Sequence, residues 1–395
     1  MRDVVILGST GSIGTQAIDV VLRHRDRFRV IGLSAGGSNI DRLADHVGAV
    51  HPTQVAVPTE DAALALREVL EEKGIAIPTI LSGPTAASEL AGMGASIVLN
   101  AITGYAGLEP TLAALSAGST LALANKESLV VGGELVTAAA SPGQIVPVDS
   151  EHSALAQALR SGTEAEVARL ILTASGGPFR GYTRDQLSDV RVEQALAHPT
   201  WDMGRVVTIN SSTLVNKGLE LIEAALLFSV DWDKIQVVVH PQSMVHSMVE
   251  FTDGSTIAQC SPPDMRLPIA LGLSWPDRLD DVIQPCDWTQ ASSWTFEPLD
   301  SHTFPAVELA RRVGEMGSTL PTIFNAANEV CVDAFCERRL GFLGIVDTVS
   351  DVIDAYLGEH PEIIGDSRPA ITLNGIREAD TWARQRAKDI IERTS

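Results

Sequence analysis

Along the first part of the chain, short apolar runs alternate with longer stretches in which apolar residues recur every three or four positions. Val4–Leu7, Val30–Ser34, Gln54–Val57, Ile97–Leu99, Thr120–Ala124 and Ile145–Val148 read as strands, and Thr15–Arg23, Asp61–Glu72 and Glu109–Ala117 have helical spacing. Strand and helix in alternation predict an α/β domain over residues 1–148, a Rossmann-like, doubly wound parallel sheet.

From 149 to about 275 the pattern changes. A strand at Leu170–Thr173 is followed by a Gly-Gly-Pro turn, a polar stretch around 198–204 and a helix near Thr213–Phe228. Strands follow at Ile235–Val239, Ser247–Phe251 and Thr256–Gln259, with Asp253-Gly254 as a hairpin turn. This order predicts a central α+β catalytic domain. Residues 276–300, rich in Asp, Pro, Ser and Trp, read as a linker. Ala306–Met316, Thr322–Arg338, Ile345–Leu357 and Ile376–Thr394 are periodic at helical spacing, so 301–395 is expected to form a C-terminal α-helical bundle.

A chain of 395 residues exceeds one compact core, and 45% hydrophobic with 20% charged residues is ordinary for a globular protein. With 29 basic and 50 acidic residues the net charge is −21, which argues against nucleic acid as a partner. An anionic substrate therefore requires a local basic pocket or a bound cation. The four cysteines, Cys260, Cys286, Cys331 and Cys336, have neither disulfide-framework nor zinc-site spacing and read as buried thiols. Met1-Arg2-Asp3 runs directly into the first strand, so no leader is expected, and no run of about 18 apolar residues predicts a membrane span. The expected location is cytoplasmic.

Gly8-Ser9-Thr10-Gly11-Ser12-Ile13-Gly14 lies between a strand and a helix, where glycines allow close backbone approach and a helix N-terminus favours a pyrophosphate. The spacing is G-x-x-G-x-x-G, with Thr10 at the usual second glycine position, and a purely structural glycine turn is the competing reading. NAD enzymes usually carry a carboxylate after the second strand. Here that segment is Ser34-Ala35-Gly36-Gly37-Ser38-Asn39, which favours NADP, with Arg42 the only nearby cation.

Farther on, Asp149 and Glu151 are two apart and, in an extended segment, project to one face. Two adjacent carboxylates suit a hard cation such as Mg²⁺ or Mn²⁺ that keeps open positions, although D-x-E pairs are also common on surfaces. Asn216 and Glu220 share a helical face with Lys217 beside them, so Glu220 is a candidate third carboxylate. Ser211, Asn216 and Lys217 could hold an anionic group; the bland alternative is a capped helix with a solvated ion pair. Ser175-Gly176-Gly177 is a second candidate anion turn. Lys126 follows an apolar strand, where α/β sheets place ligands, and Trp201 lies in a polar stretch that reads as a lid near 194–205, a packing tryptophan being the competing reading. His240 and His246, near apolar strands, read as structural histidines.

Together these segments resemble the 1-deoxy-D-xylulose 5-phosphate reductoisomerase family. The resemblance rests on residues 8–14, Leu-Ala-Asn-Lys-Glu-Ser-Leu (123–129), Pro-Val-Asp-Ser-Glu-His (147–152), Ala-Ser-Gly-Gly-Pro-Phe (174–179), His-Pro-Thr-Trp-Asp-Met-Gly (198–204), Asn-Lys-Gly-Leu-Glu (216–220), His-Pro-Gln-Ser (240–243) and Asn-Ala-Ala-Asn-Glu (325–329). It implies that Gly8, Thr10, Gly11, Ser12, Ile13, Gly36, Gly37, Asn39, Asn125, Glu127 and Gly204 hold NADPH. It implies Asp149, Glu151 and Glu220 as ligands of one Mg²⁺ or Mn²⁺ per subunit, and, with Lys126, as the catalytic set. Lys126, Ser150, Glu151, Ser175, His198, Trp201, Met203, Ser211, Asn216, Lys217 and Glu220 would hold a phosphorylated sugar, with Trp201 and Met203 in the closing loop. Two departures stand out: Ser153 replaces a common Asn, and Gly-Gly-Ser-Asn replaces the Gly-Lys-Asn of some members.

The activity so implied is the rearrangement and NADPH-dependent reduction of 1-deoxy-D-xylulose 5-phosphate to 2-C-methyl-D-erythritol 4-phosphate, in the non-mevalonate isoprenoid route, by a homodimer that fosmidomycin inhibits. The rivals are another NADP-dependent reductase of a small carbonyl substrate, of semialdehyde or homoserine dehydrogenase type, and a non-catalytic NADP sensor.

Overall fold

The computed structural model describes residues 1–201, 203–363 and 370–394, so Asp202 of the 198–204 motif lies outside the described residues. The chain divides into two compact units, the first comprising Met1–Ser128, Ala138–Ser153 and Asp264–Pro285 and the second Leu129–Thr137, Ala154–Pro263 and Cys286–Ser395.

Unit 1 is built on strands β1 (Arg2–Leu7), β2 (Phe28–Ser34), β3 (Gln54–Val57), β4 (Thr79–Ser82), β5 (Ile97–Asn100), β6 (Thr120–Leu123) and β7 (Ile145–Pro147). They form one sheet in the order β4-β3-β2-β1-β5-β6-β7, with every pairing parallel. Strands buried on both faces explain the unbroken apolar runs: Val4 to Leu7 and Ile97 to Leu99 are all essentially inaccessible. The order reverses between β1 and β5, the switch point outside whose carboxyl ends open α/β sheets bind ligands. The sequence reading identified all of these strands except β4, an edge strand only partly buried and therefore without an apolar signature. Helix Arg266–Ser274 also belongs to unit 1, and its Ile269, Ala270 and Leu273 join the core of β1 and β2 residues.

Unit 2 carries a second sheet, from β8 (Val167–Ala174), β9 (Ile235–Val239), β10 (Val245–Phe251), β11 (Thr256–Cys260) and β12 (Glu297–Pro298), in the order β11-β10-β8-β9-β12. The β10–β11 hairpin turns at Gly254, where φ is +87°. The short β12 pairs with β9, so the stretch read as linker contributes an edge strand. Helices Val215–Phe228, Ala306–Met316, Leu320–Cys336, Phe342–Glu359 and Leu373–Thr394 share one hydrophobic core with β8 and β10. No described helix is long and apolar enough to cross a membrane.

Candidate active site

At the switch point of unit 1, the loop after β1 is shaped by two glycines. Gly8 has φ +77°, and a Cβ there would sit 2.6 Å from the Ala101 carbonyl oxygen. A Cβ on Gly14 would lie 2.3 Å from the Gly8 carbonyl oxygen, so the next helix approaches the loop as closely as backbone permits. That helix, Ser12–Arg23, has Gly11 at its N-cap and no side-chain cap, which leaves its first amides for a ligand. Thr10, Gly11, Ser12 and Ile13 all belong to this turn. Gly36, Gly37 and Asn39 lie just beyond β2, where Asn39 caps helix Ile40–Val50.

Asn125 caps the helix that begins at Lys126. Its amide donates to the Gly104 carbonyl and the Glu127 carboxylate at 3.0 Å each, tying the loop after β5 to the end of β6. Lys126 then reaches the Asp149 carboxylate, with Nζ 2.6 Å from Oδ2. The other oxygen of Asp149 is 3.0 Å from His152 Nδ1. Burial works against ionisation of Asp149, but the Lys126 charge and the His152 hydrogen bond outweigh it and hold the carboxyl well below its usual range.

The segment after β7 is not extended, as the i, i+2 argument assumed. Helix Ser150–Ala158 starts at once, with the Ser153 amide donating to the Asp149 carbonyl at 2.9 Å. Asp149 therefore precedes the helix and Glu151 occupies its first turn, where the helix dipole favours negative charge. The two carboxylates still present oxygens within 4.8 Å of each other. Ser150 donates its hydroxyl to Glu151 Oε2 at 2.6 Å.

In unit 2, β8 delivers Ser175 at its end, followed by Gly176 and Gly177, both with positive φ. The Ser175 hydroxyl oxygen accepts from the Gly177 amide at 3.2 Å and lies 3.1 Å from His198 Nε2. His198 Nδ1 accepts from the amides of Thr200 and Trp201, at 3.1 and 2.9 Å. Those two bonds assign the tautomer: the proton is on Nε2 and is donated to Ser175, while burial lowers the pKa of the ring. With both lone pairs of Ser175 used, its own O–H is left to donate to a ligand oxygen.

A Cβ on Gly177 would lie 3.0 Å from the Ser211 carbonyl, so the Ser175 turn lies against helix Arg205–Ser212. One helix farther on, Asn216 donates to Glu220 and Lys217 forms an ion pair with it. Lys217 and Glu220 are only 4% and 1% exposed, so this is a buried charge cluster and not the solvated pair of the bland reading. The Trp201 ring lies 6.1 Å from that of His246. Met203 and Gly204 continue the same stretch, the Thr208 hydroxyl donating to the Gly204 carbonyl at 3.0 Å.

His240 and His246 are both hydrogen-bonded to backbone. His240 Nε2 accepts from the amides of Met244 and Val245 at 3.1 Å, and His246 Nε2 lies 3.1 Å from the Ser261 carbonyl. The motif at 325–329 also acquires a physical role: Asn328 donates to Asn210 Oδ1 at 2.9 Å, bracing the helix that carries Ser211. The sequence reading gave His152 no role. Its i, i+3 spacing from Asp149 at a helix start was the available signal.

Unit 1 thus gathers Lys126, Asp149, Ser150 and Glu151, and unit 2 gathers Ser175, His198 and Ser211 in one cluster and Asn216, Lys217 and Glu220 in another. Residues 4–133 match the family description 1-deoxy-D-xylulose 5-phosphate reductoisomerase, and 145–228 and 260–386 match its C-terminal domains. A relative of that name from Cutibacterium acnes is 60% identical, with 100% of this chain and 99% of the relative aligned. One from Streptomyces coelicolor is 58% identical, over 100% and 94%. Among solved structures, the reductoisomerase of Zymomonas mobilis in complex with NADPH is 39% identical with a TM-score of 0.88, covering 99% of both chains. A reductoisomerase in complex with NADPH, fosmidomycin and magnesium is 35% identical with a TM-score of 0.92, covering 99% of this chain and 98% of that one. The chain belongs to the 1-deoxy-D-xylulose 5-phosphate reductoisomerase family.

Proposed function

We propose that the protein converts 1-deoxy-D-xylulose 5-phosphate into 2-C-methyl-D-erythritol 4-phosphate, using NADPH and one divalent cation, Mg²⁺ or Mn²⁺, in the non-mevalonate route to isoprenoid precursors. End-to-end similarity to reductoisomerases, one in complex with NADPH, fosmidomycin and magnesium, carries this reading.

Local chemistry fits both groups. A loop that requires glycine at positions 8 and 14 precedes a helix whose first amides have no side-chain cap, which suits a dinucleotide pyrophosphate. An ionised Asp149 beside Glu151 offers hard oxygen donors, and we assign Glu220 as the third ligand. When bound, the cation supplies Lewis acidity to the substrate oxygens and NADPH supplies hydride to the branched aldehyde left by rearrangement of the carbon skeleton. Lys126 keeps Asp149 charged. Ser175, Ser211, Asn216 and Lys217 grip the phosphate, whose binding energy positions the reacting carbons some distance away. His198 orients Ser175, while Trp201 and Met203 close over the substrate to exclude water. In this reading residues 1–148 bind NADPH, 149–275 bind substrate and metal, and 301–395 brace the second sheet and the helix Val215–Phe228.

We also infer a homodimer. β11 is an edge strand with Ile257 exposed, and pairing or covering such an edge is a common basis of two-fold association. A cytoplasmic location accords with four free cysteines.

The decisive assay is NADPH oxidation with deoxyxylulose phosphate, with and without Mg²⁺ or Mn²⁺, alongside sedimentation for the dimer. Asp149→Asn and Glu220→Gln are expected to lose turnover while keeping NADPH affinity; near-normal turnover in both would remove the metal assignment. Fosmidomycin is expected to inhibit.

A further inference from the structure

NADPH differs from NADH only by its ribose 2′-phosphate, so positive charge near the end of β2 favours NADPH over NADH. The Gly-Gly-Ser-Asn segment there contains none. We propose that the guanidinium of Arg42 grips the 2′-phosphate and so sets the preference for NADPH over NADH. This assignment rests on the cofactor reading above.

Four observations in unit 1 support it. Ser34, the last residue of β2, is already committed to the cofactor loop. Its hydroxyl accepts from the Gly8 amide at 3.3 Å and its carbonyl from the Ser9 amide at 2.8 Å. Next, Gly36 is exposed, and a Cβ there would meet nothing within 4 Å, which leaves open space beside the loop for a phosphate.

The third observation is the position of Arg42 itself. It lies in the first turn of helix Ile40–Val50, its amide donating to the Asn39 cap at 3.1 Å. Its side chain runs back to the glycine loop, where Nη1 donates to the Thr10 carbonyl at 3.3 Å. The exposed guanidinium is thereby directed between the loop and the end of β2, near the positive end of a helix, and among the described residues its other N–H donors have no partner.

Finally, its charge is not consumed locally. The neighbouring carboxylates of Asp41 and Asp45 are held by Lys73, at 3.6 and 2.6 Å. Among the described residues no carboxylate forms an ion pair with Arg42. His46, one turn on, is pushed toward its neutral form by burial and by Arg42, and adds no competing charge.

A simple clamp on the Thr10 loop is the alternative, and nucleotide pairs separate the two. NADPH and NADH binding to the full chain, without substrate, is to be measured by calorimetry for the wild type, Arg42→Gln and Arg42→Lys. For Arg42→Gln the NADPH Kd is expected to rise by about tenfold or more, as for loss of a charged hydrogen bond, while the NADH Kd changes by less than about twofold. Arg42→Lys should recover part of the loss. Equal weakening of both nucleotides, or no change in either, would overturn the assignment. A wild type that binds NADH as tightly as NADPH would overturn the cofactor reading as well.

Discussion

Lys126 and Asp149 form a buried ion pair, Nζ to Oδ2 at 2.6 Å, between the residue that opens the helix after β6 and the residue that follows β7. Neither side chain is more than 11% exposed. A pair so placed keeps a carboxylate ionised where desolvation alone would protonate it.

Removing the cation is therefore expected to be costly. Lys126→Met should lower unfolding stability by about 3 kcal/mol, because it strands a buried carboxylate. Lys126→Met combined with Asp149→Leu should regain much of that stability and none of the turnover. Urea unfolding and NADPH-oxidation assays on the single and double variants check this.

Ser175 and His198 give a second prediction. Protonation of His198 places a hydrogen on Nδ1, which now accepts from the Thr200 and Trp201 amides, so the charged ring cannot keep that turn. Because burial lowers the folded pKa, this contribution is complete above the ordinary value of 6.5 and is lost as pH falls through the depressed value. The substrate KM should rise on that acid side while the NADPH KM stays level. His198→Phe should show the raised KM, by about tenfold, at all pH values.

His246 predicts an acid sensitivity of the fold. Burial drives its pKa from 6.5 to about 4; the bond to the Ser261 carbonyl opposes this, and His240 and Lys217 add to it. The neutral ring stabilises the folded state fully above pH 6.5, and that stability is lost as the pH falls toward 4, by an amount on the order of 3 kcal/mol. His246→Gln should abolish this part of the dependence, seen as a smaller fall in urea midpoint between neutral and acid pH.

Asn328 tests whether the C-terminal helices serve the site. Asn328→Leu removes the donor to Asn210 Oδ1, at a cost of about 1–2 kcal/mol, partly offset because Asn328 Oδ1 is itself buried without a partner. The brace on the Ser211 helix is lost, so substrate KM should rise several-fold with NADPH affinity unchanged. A fall in thermal stability with unaltered KM would show that the pair serves folding alone.

Much of the architecture was legible in the chain because burial on both faces of a parallel strand leaves an unbroken apolar run, as at Val4–Leu7. β4 escaped because an edge strand with Thr79 exposed carries no such run. Asp149 and Glu151 were recognised as a pair, but their geometry was not: a helix starting at Ser150, not a strand, presents them. Lys217 and Glu220 were visible as neighbours, whereas their burial, which distinguishes the pair from a solvated surface one, was not.

What the sequence determined alone is therefore local: the glycine loop, the periodicity of each element, and the spacing of carboxylates and cations, all set by nearest-neighbour sterics and side-chain chemistry. Tertiary structure decided what depends on residues distant along the chain. It joined helix Arg266–Ser274 to the core of the first sheet, set Lys126 against Asp149, and bonded Asn328 to Asn210. Such contacts arise when separate apolar faces find one another and exclude water, and no local pattern encodes which faces will meet.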